Sequence, residues 1–409
     1  MNFSCERGRV ALRSAWTTVE VKDAIEELLT AFSERLPADL GARIALKPNL
    51  NNDLVALVGN SVDLRVLCSL IEGLQNRGYR NLVVCDGSNV GVHRRGIDSF
   101  RRLRVDKLKR RYDVDVLDLN QDDGVEVVLH AGARPKVART VLDADFLISI
   151  PKVKTHAEAG LSCALKNWVG ICTGQAKRHM HMDLGKNIFA INEAVLPDLV
   201  LVDGLVGMEG NGPGDGKPFR LGQLAMSDNA FVNDLVIMRL VDMPWRDVPY
   251  MVHAMEAGQL DEGLARRVAA EVPVLRPIER APPRSRLAEL SEARSLHWLK
   301  LAVRPLVDRP VVAQTAYDLK IIQDLYSLED DGVTGLSRNP EACGECRRCE
   351  DFCPTHLPVE DIGVKTEEPD CILCLYCWWV CPRGALTLEG PLGHLERQVD
   401  RYKSAVEAL

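Results

Sequence analysis

Two hydrophobic periodicities alternate along the chain up to residue 240. Stretches of strand length that are rich in apolar residues occur at 43–50, 81–85, 115–119, 125–129, 145–150 and 199–202, and that at 81–85 is a nearly continuous apolar run. Between them, apolar residues recur at helical spacing over 64–77, 98–112, 184–195 and 231–240. Continuous apolar runs are typical of strands buried on both faces, and strands separated by helices form parallel sheets. The pattern therefore predicts an α/β fold with a mostly parallel sheet covered by helices.

Polar side chains stand at or just after the ends of four of the predicted strands. They are Lys47 and Asn49, Asp86 and Ser88, Lys152 and Lys154, and Asp203. In open α/β sheets, ligands bind outside the carboxyl ends of the strands. We therefore expect these side chains to face one substrate-binding cleft, together with Asn167.

Cations are concentrated in one stretch, I-P-K-V-K-T-H-A-E-A-G-L-S-C-A-L-K-N-W-V-G-I, at 150–171. We expect a helix to begin near Gly160 and to carry Lys166 beside Lys152, Lys154 and His156. Lysines beside the free amides of a helix start form an anion site. Lysines that are merely solvated beside a core helix are the alternative interpretation.

The expected catalytic residues of this stretch are His156, Lys166 and Lys154. His156 is the best proton donor, because the unperturbed pKa of a histidine lies near neutrality. Lys166 is expected to hold a carboxylate or a phosphate. A histidine that is buried and only hydrogen-bonded to backbone is the alternative.

One cysteine pattern occurs twice between residues 343 and 382. Each copy reads C-x2-C-x2-C-x3-C-P, and together they contain eight of the thirteen cysteines. Bacterial ferredoxins hold two [4Fe–4S] clusters with this spacing, because three thiolates of one loop bind one cluster and the fourth reaches the other. The predicted ligand sets are Cys343, Cys346, Cys349 and Cys381 for one cluster, and Cys353, Cys371, Cys374 and Cys377 for the other. Paired zinc knuckles are the alternative, but each loop supplies three thiolates where zinc needs two pairs.

The composition argues against several classes of function. The 409 residues carry a formal net charge of −7 and 46% apolar residues, which is typical of a globular protein without a nucleic-acid footprint. The basic run at 101–111 has helical spacing, which favours a solvated helix face over a binding patch. There is no secretory signal and no apolar segment of membrane-spanning length. Oxygen-sensitive thiolate clusters suit a reducing compartment, so we expect a cytoplasmic protein.

We expect four regions along the chain. A catalytic or ligand-binding domain occupies 1–285, a partly helical connection 286–335, the two-cluster domain 336–392 and a tail helix 393–409. Trp378 and Trp379 lie inside the second cysteine loop, and we expect at least one of them to seal the junction between the domains.

Three further motifs are weaker. The glycine-rich stretch at 204–217 lacks the P-loop residues at Asn211 and Pro218, which leaves a mobile substrate loop or a plain linker. Ser162 nearly completes a nucleophile elbow, but the last glycine is absent. His179 and His181 suit a surface turn better than a metal site.

The cysteine repeat resembles the two-cluster bacterial ferredoxins over about sixty residues. The motifs K-P-N, D-G-S, P-K-x-K-T-H and A-L-K-N-x-x-G resemble a prokaryotic family, often fused to a ferredoxin, that is catalogued as a domain of unknown function. A more distant similarity is to the nickel-pincer lactate racemases, carried by Lys154, His156, Ala159, Gly160, Ser162 and Lys166. In those racemases the histidine is a catalytic base and the last lysine carries the cofactor. The resemblance implies the position of a site, whereas their D-H-T-R-type motif is absent here.

The first functional hypothesis is an oxidoreductase whose two [4Fe–4S] clusters pass electrons to a small, anionic substrate at the strand ends. Its partner would be a cytoplasmic electron donor such as a ferredoxin, a flavodoxin or a reductase, with no nucleic acid and no membrane. One alternative is a module that binds an anion or a partner while its clusters relay electrons or sense redox state. Another is a racemase or lyase that uses His156 and Lys166.

Overall fold

The computed structural model describes residues 1–282, 326–344 and 346–409. The strands are β1 (Asn2–Cys5), β2 (Gly8–Ser14), β3 (Ile44–Pro48), β4 (Leu82–Asp86), β5 (Asp115–Asp118), β6 (Gly124–Glu126), β7 (Lys136–Ala138), β8 (Phe146–Ile150), β9 (Lys152–His156), β10 (Gly160–Ser162), β11 (Leu199–Glu209), β12 (Lys217–Ser227), β13 (Gly335–Arg338) and β14 (Leu386–Glu389). The helices are α1 (Thr18–Ala31), α2 (Leu64–Asn76), α3 (Val90–Arg94), α4 (Ser99–Arg102), α5 (Leu108–Tyr112), α6 (Arg139–Leu142), α7 (Ala164–Asn167), α8 (Leu184–Ala194), α9 (Ala230–Leu240), α10 (Pro249–Glu256), α11 (Glu262–Glu271), α12 (Arg348–Asp351), α13 (Tyr376–Val380) and α14 (Leu395–Glu407). Most of the predicted connection at 286–335 lies outside the described residues.

One large sheet organises the first domain. Its strand order is β1-β2-β12-β11-β8-β3-β4-β5, and β9 pairs with both β11 and β10. The strands β5, β4, β3, β8 and β11 run parallel, whereas β12, β2 and β1 complete one side in antiparallel pairing. The predicted mostly parallel sheet covered by helices is therefore confirmed.

Alternate residues of the central strands contribute to two hydrophobic cores. In β3, Ile44 and Leu46 belong to a core shared with α1 and α2, while Ala45 belongs to a second core shared with α8 and α9. Successive side chains of a strand point to opposite faces, so burial of both faces produces a continuous apolar run. This is why the sequence located β3, β4 and β8 well.

The two-cluster unit packs into the first of these cores. Phe352, Tyr376, Trp379 and Val406 lie in the same buried cluster as the residues of α1 and α2. The guanidinium of Arg65 in α2 lies 4.2 Å from the ring centre of Phe352. The unit is therefore built onto the large domain through a common apolar interior.

The junction also confirms two expectations about the C-terminal region. Trp379 is fully buried and lines a cavity together with Leu64 of the large domain, so at least one tryptophan seals the junction. The tail forms the helix α14, whose Gln398 Nε2 donates to the carbonyl oxygen of Asp53 at 2.9 Å. None of the described helices is long and apolar enough to cross a membrane.

The basic run at 101–111 differs from its prediction. The expected single helix over 98–112 is wrong, because Arg104 adopts a φ of 61° between α4 and α5. The solvated face is also wrong for Arg102, which is buried and lies 2.6 Å from Asp53 and 2.7 Å from Asp330. Arg102 thus pairs with residues from two distant parts of the chain. The basic run therefore lies at an internal junction and not on a solvated helix face.

At two places the structure has a β-hairpin where the sequence suggested a helix or a loop. The helix expected to begin near Gly160 is wrong, because Gly160 pairs with His156 in the β9–β10 hairpin and has a φ of 72°. A Cβ atom at this position would meet the carbonyl oxygen of Asp247 at 2.6 Å, so the turn requires glycine. Half of the glycine-rich stretch at 204–217 is likewise strand, since β11 continues to Glu209 and β12 begins at Lys217.

Candidate functional site

Five lysines gather at the ends of the central strands, and we call them the lysine cluster. They are Lys47, Lys152, Lys154, Lys166 and Lys177. Lys152 and Lys154 alternate along β9, which places both side chains on one face of the strand. Burying amines costs free energy unless they are paired and hydrogen-bonded, so the partner of each amine indicates its role.

Two members of the lysine cluster are paired with aspartates. Lys47 Nζ lies 2.6 Å from Asp86 Oδ1, and Lys152 Nζ lies 2.7 Å from Asp203 Oδ2. The same carboxylates accept backbone N–H groups, from Leu50 at 2.6 Å and from Asp63 at 2.7 Å. These two pairs therefore fix the strand ends, and their charges are already compensated.

The other three lysines have no carboxylate within ion-pair distance among the described residues. Lys154 Nζ donates to Asn49 Oδ1 at 2.8 Å and to the carbonyl oxygen of Asn60 at 2.7 Å. Lys177 Nζ donates to the carbonyl oxygens of Gly87 and Ser88 at 2.8 and 2.9 Å, and to Asn120 Oδ1 at 3.0 Å. Lys166 has no hydrogen-bond partner in the described part of the chain.

Burial depresses the basicity of these three amines. It lowers the pKa of Lys154 well below its ordinary value, and the nearby charge of Lys166 lowers it further. Burial also lowers the pKa of Lys166 and of Lys177 to about 8. Five lysines face two pairing aspartates, so a bound anion would relieve an uncompensated positive charge.

Asn167 links the strands beneath Lys166. Its Oδ1 accepts from Lys47 Nζ at 3.1 Å and from Asn49 Nδ2 at 2.9 Å. Its Nδ2 donates to Ser149 Oγ at 3.1 Å. The structure thus brings Lys47, Asn49, Asp86, Lys154 and Asn167 into one polar network.

The amides at the start of α7 are not free to bind an anion. Ala164 N and Leu165 N donate to the two carboxylate oxygens of Asp234 at 2.8 and 3.1 Å. Burial raises the pKa of Asp234 to about 6. The predicted contribution of a helix N-terminus to the site is therefore wrong, and Asp234 instead fixes the turn that carries Lys166.

His156 and Ser88 lie at the edges of this arrangement. His156 is half-buried on the same face of β9 as Lys154, and its Nδ1 accepts from Glu158 N at 3.1 Å and from Ala159 N at 3.2 Å. A neutral ring that accepts at Nδ1 carries its proton on Nε2. Ser88 Oγ accepts from Asn120 Nδ2 at 3.0 Å, which places Ser88 on the Lys177 side.

Sequence reasoning missed Lys177, Asn60, Asn120 and Asp234. Lys177 lies in the short-turn segment Gly174–Met182, which has no strand or helix pattern to mark it. A clearer signal exists at Gly170, where a Cβ atom would meet Asp86 Oδ1 at 2.4 Å and Lys47 Nζ at 2.6 Å. The glycine of A-L-K-N-x-x-G therefore allows the backbone to approach the Lys47–Asp86 pair.

The predicted cysteine sets each surround one cavity. Cys343, Cys346, Cys349 and Cys381 line the first cysteine cavity, and Cys353, Cys371, Cys374 and Cys377 line the second. Within the described residues, no three His, Cys, Asp or Glu side chains are placed to hold a single metal ion. Four thiols spread around a cavity suit a cubane, whose four irons each take one thiolate.

The backbone around the cysteines also fits such clusters. Leu373 N and Ala385 N donate to Cys371 Sγ and Cys381 Sγ at 3.4 and 3.3 Å. Hydrogen bonds to cluster sulfurs are one means by which a protein adjusts the reduction potential. The cysteine sets and these amides fit two [4Fe–4S] clusters.

The two cysteine cavities differ in their surroundings. Cys346 of the first cavity is exposed, and its lining includes Arg347 and Arg383. The second cavity lies against the large domain, since Cys374 also lines the space shared with Leu64 and Trp379. The first cavity therefore faces solvent, and the second faces the junction.

A continuous series of contacts, which we call the junction path, links the second cavity to the lysine cluster. Tyr376 stands between Cys374 and Cys377 in sequence, and its phenol oxygen accepts from Leu64 N at 3.1 Å. The preceding residue, Asp63, donates its N–H to Asp203 Oδ2, which binds Lys152. Two hydrogen bonds and one peptide link thus connect a cysteine loop to the Lys152–Asp203 pair.

An α/β domain with a buried lysine cluster, joined to a two-cluster cysteine unit, defines an iron–sulfur protein built of two parts. Residues 44–239 match the family model described as "Domain of unknown function (DUF362)", and residues 335–390 match the model described as "4Fe-4S dicluster domain". The chain therefore contains a DUF362 domain followed by a 4Fe-4S dicluster domain. The first match includes the whole lysine cluster, the second includes all eight cysteines of the repeat, and a dicluster domain indicates electron transfer.

Two similar proteins add context. The "Thylakoid-associated protein sll1697" of Synechocystis sp. is 34% identical over 123 residues, which is 28% of this chain and 38% of that protein. The chain therefore spans well under half the length of this relative. The lactate racemase apoprotein from Thermoanaerobacterium thermosaccharolyticum superimposes with a TM-score of 0.32 and 12% identity over 54% of each chain. That superposition is too loose to transfer a residue role.

Proposed function

We propose that this protein is an iron–sulfur oxidoreductase whose two [4Fe–4S] clusters exchange electrons with a small anionic substrate at the lysine cluster. The observation that carries the proposal is the junction path from Tyr376 to the Lys152–Asp203 pair. Bonded and hydrogen-bonded atoms couple donor and acceptor better than an open gap does. When bound, the clusters would supply one electron each, which matches the two electrons of a multiple-bond reduction.

The residues of the lysine cluster would bind and protonate the substrate. Burial favours the neutral Lys154 amine, but the charge of a bound anion would favour its ammonium form, which has one N–H beyond the two hydrogen bonds it already makes. Lys166 has no hydrogen-bond partner among the described residues, so both lysines could then donate to an anionic oxygen. Below pH 8 the Lys166 amine is largely protonated and can release a proton during reduction. His156, two residues after Lys154 on the same face of β9, would be a second proton donor. Asn167 and Asp234 would act as positioning residues.

The external partner in this proposal is a soluble electron carrier of a reducing compartment, such as a ferredoxin, a flavodoxin or a reductase. The exposed first cysteine cavity is where such a carrier would approach. The proposed compartment is the cytoplasm, because thiolate clusters survive best where thiols stay reduced.

A single-turnover experiment tests the proposal. Protein reduced anaerobically is mixed with fumarate, crotonate, pyruvate or nitrite, and the visible absorption of the clusters is followed. Reoxidation by one of these anions that is lost in Lys154→Met, with the iron content unchanged, supports the proposal. If an anion binds in equilibrium dialysis while the clusters stay reduced, the protein is an anion-binding module and the proposal is overturned.

A further inference from the structure

Lys166 differs from the other four members of the lysine cluster in what surrounds its amine. Lys47 and Lys152 are held by carboxylates, and Lys154 and Lys177 by carbonyl and amide oxygens. Lys166 has no such partner among the described residues, and it retains partial exposure where the others are buried. A substrate can therefore reach its nitrogen without first displacing a protein acceptor.

The environment of Lys166 also favours the free amine. Burial is the main cause that lowers its pKa to about 8, the charge of Lys47 adds to the lowering, and Glu158 opposes it. A lysine becomes a nucleophile when it is desolvated or placed next to another cation, because the unprotonated amine carries the reactive lone pair. Lys177 has a pKa of about 8 as well, but all three of its N–H donors are engaged. Lys166 and Lys177 can therefore be compared as two lysines of similar pKa, of which only Lys177 is hydrogen-bonded to protein acceptors.

We propose that Lys166 forms an imine with a 2-oxo acid, a compound with a carbonyl group beside a carboxylate. The Lys166 nitrogen bonds to the carbonyl carbon, the carbon–oxygen bond breaks, and the oxygen leaves as water with the two amine hydrogens. The carboxylate of the same molecule favours the ammonium form of Lys154, whose third N–H then donates to it. This inference rests on the proposed anion site and names its substrate class.

Asp234 and Asn167 fix the geometry that this step needs. Asp234 binds the amides of Ala164 and Leu165, and Asn167 is bound to Lys47 and Ser149. Lys166 thus projects from a turn whose neighbours on both sides are tied to the sheet and to α9. A nucleophile on a rigid support loses little freedom when it reacts.

Reductive trapping tests the inference without using the clusters as electron donors. The holoprotein is incubated anaerobically with pyruvate and sodium cyanoborohydride, digested, and mapped by mass spectrometry. At pH 8 an amine of pKa about 8 is about half unprotonated, against about 0.3% for an unperturbed lysine, so roughly hundredfold faster labelling of Lys166 is expected. Lactate, which has the carboxylate but no carbonyl group, is expected to give no adduct.

The variants separate this inference from the proposed function. Lys166→Arg should abolish the adduct, while Lys177→Arg should leave it in place. The imine is overturned if the adduct is spread evenly over surface lysines. It is also overturned if no adduct forms although titration calorimetry shows that pyruvate binds. Neither result contradicts the proposed anion site. If Lys166 forms the adduct but no anion reoxidises the reduced clusters, the imine is supported and the proposed electron exchange is overturned. Because the label is mapped on wild-type protein, the result does not depend on the folding of a variant.

Discussion

Replacing Asp203 with asparagine tests whether the lysine cluster is as charged and as buried as its geometry indicates. Asp203 Oδ2 lies 2.7 Å from Lys152 Nζ, and neither side chain is exposed. Asparagine can accept from only one of the two amides that Asp203 binds, those of Asp63 and Leu205, and it removes the negative charge, so the Lys152 ammonium loses its compensation. Breaking a buried ion pair from one side costs about 3–5 kcal/mol, which we expect as the loss in the free energy of unfolding.

Anaerobic urea denaturation followed by tryptophan fluorescence measures this loss. Asp261→Asn is the matched control, because Asp261 pairs with Arg7 at the surface and asparagine is an equally good N-cap for α11. Its denaturation midpoint should be unchanged. Lys152→Met in the Asp203→Asn background removes the stranded charge and should recover most of the loss. A single variant as stable as the wild type, or a double variant no better than the single one, would refute the reasoning.

Four further predictions concern the clusters and the site. The anaerobically purified protein should contain about eight irons and about eight acid-labile sulfides, and stoichiometric zinc instead would contradict the assignment. Cys353→Ser should remove the electron paramagnetic resonance signal of the cluster held by Cys371, Cys374 and Cys377, while Cys172→Ser at a buried cysteine outside the repeat keeps both signals. Lactate binding, measured by calorimetry, should weaken as the pH rises through about 8, since Lys166 and Lys177 then lose their positive charge and lactate has no carbonyl group with which to form the imine; tighter binding at high pH would show that the amines do not hold the anion. Tyr376→Phe leaves Leu64 N–H without its acceptor, which should cost about 1–3 kcal/mol of stability and slow cluster reoxidation at constant iron content; an unchanged rate would remove the junction path from the mechanism.

Much of the fold followed from the sequence because its central strands are buried on both faces. Burial of both faces gives β3 and β4 their continuous apolar runs, and helices between them leave few arrangements other than a parallel sheet. The cysteine sets were predictable for a different reason. A cluster fixes the spacing of its ligands within a short loop, so the ligands can be recognised from a short stretch of sequence.

The errors arose where distant contacts decide the local structure. The residues after Gly160 have apolar spacing that suits a helix, yet Asp247 approaches Gly160 so closely that only a turn fits. Arg102 looked like part of a solvated face because Asp330, its partner at 2.7 Å, lies far along the chain. Lys177 and Asp234 join the site from segments without a recognisable pattern, so their roles depend on packing that a single sequence does not display.

The two units share one hydrophobic core, so disorder in the cysteine unit would also reach the large domain. Phe352, Tyr376 and Trp379 complete the core that also contains α2, and the N-terminus of α2 holds Asp203 through the amide of Asp63. A cysteine loop without its cluster lacks the bonds that order it, as in small metal domains that fold only with their metal. Apoprotein formed under iron limitation would therefore loosen one wall of the lysine cluster, so the proposed anion site would be lost together with the clusters.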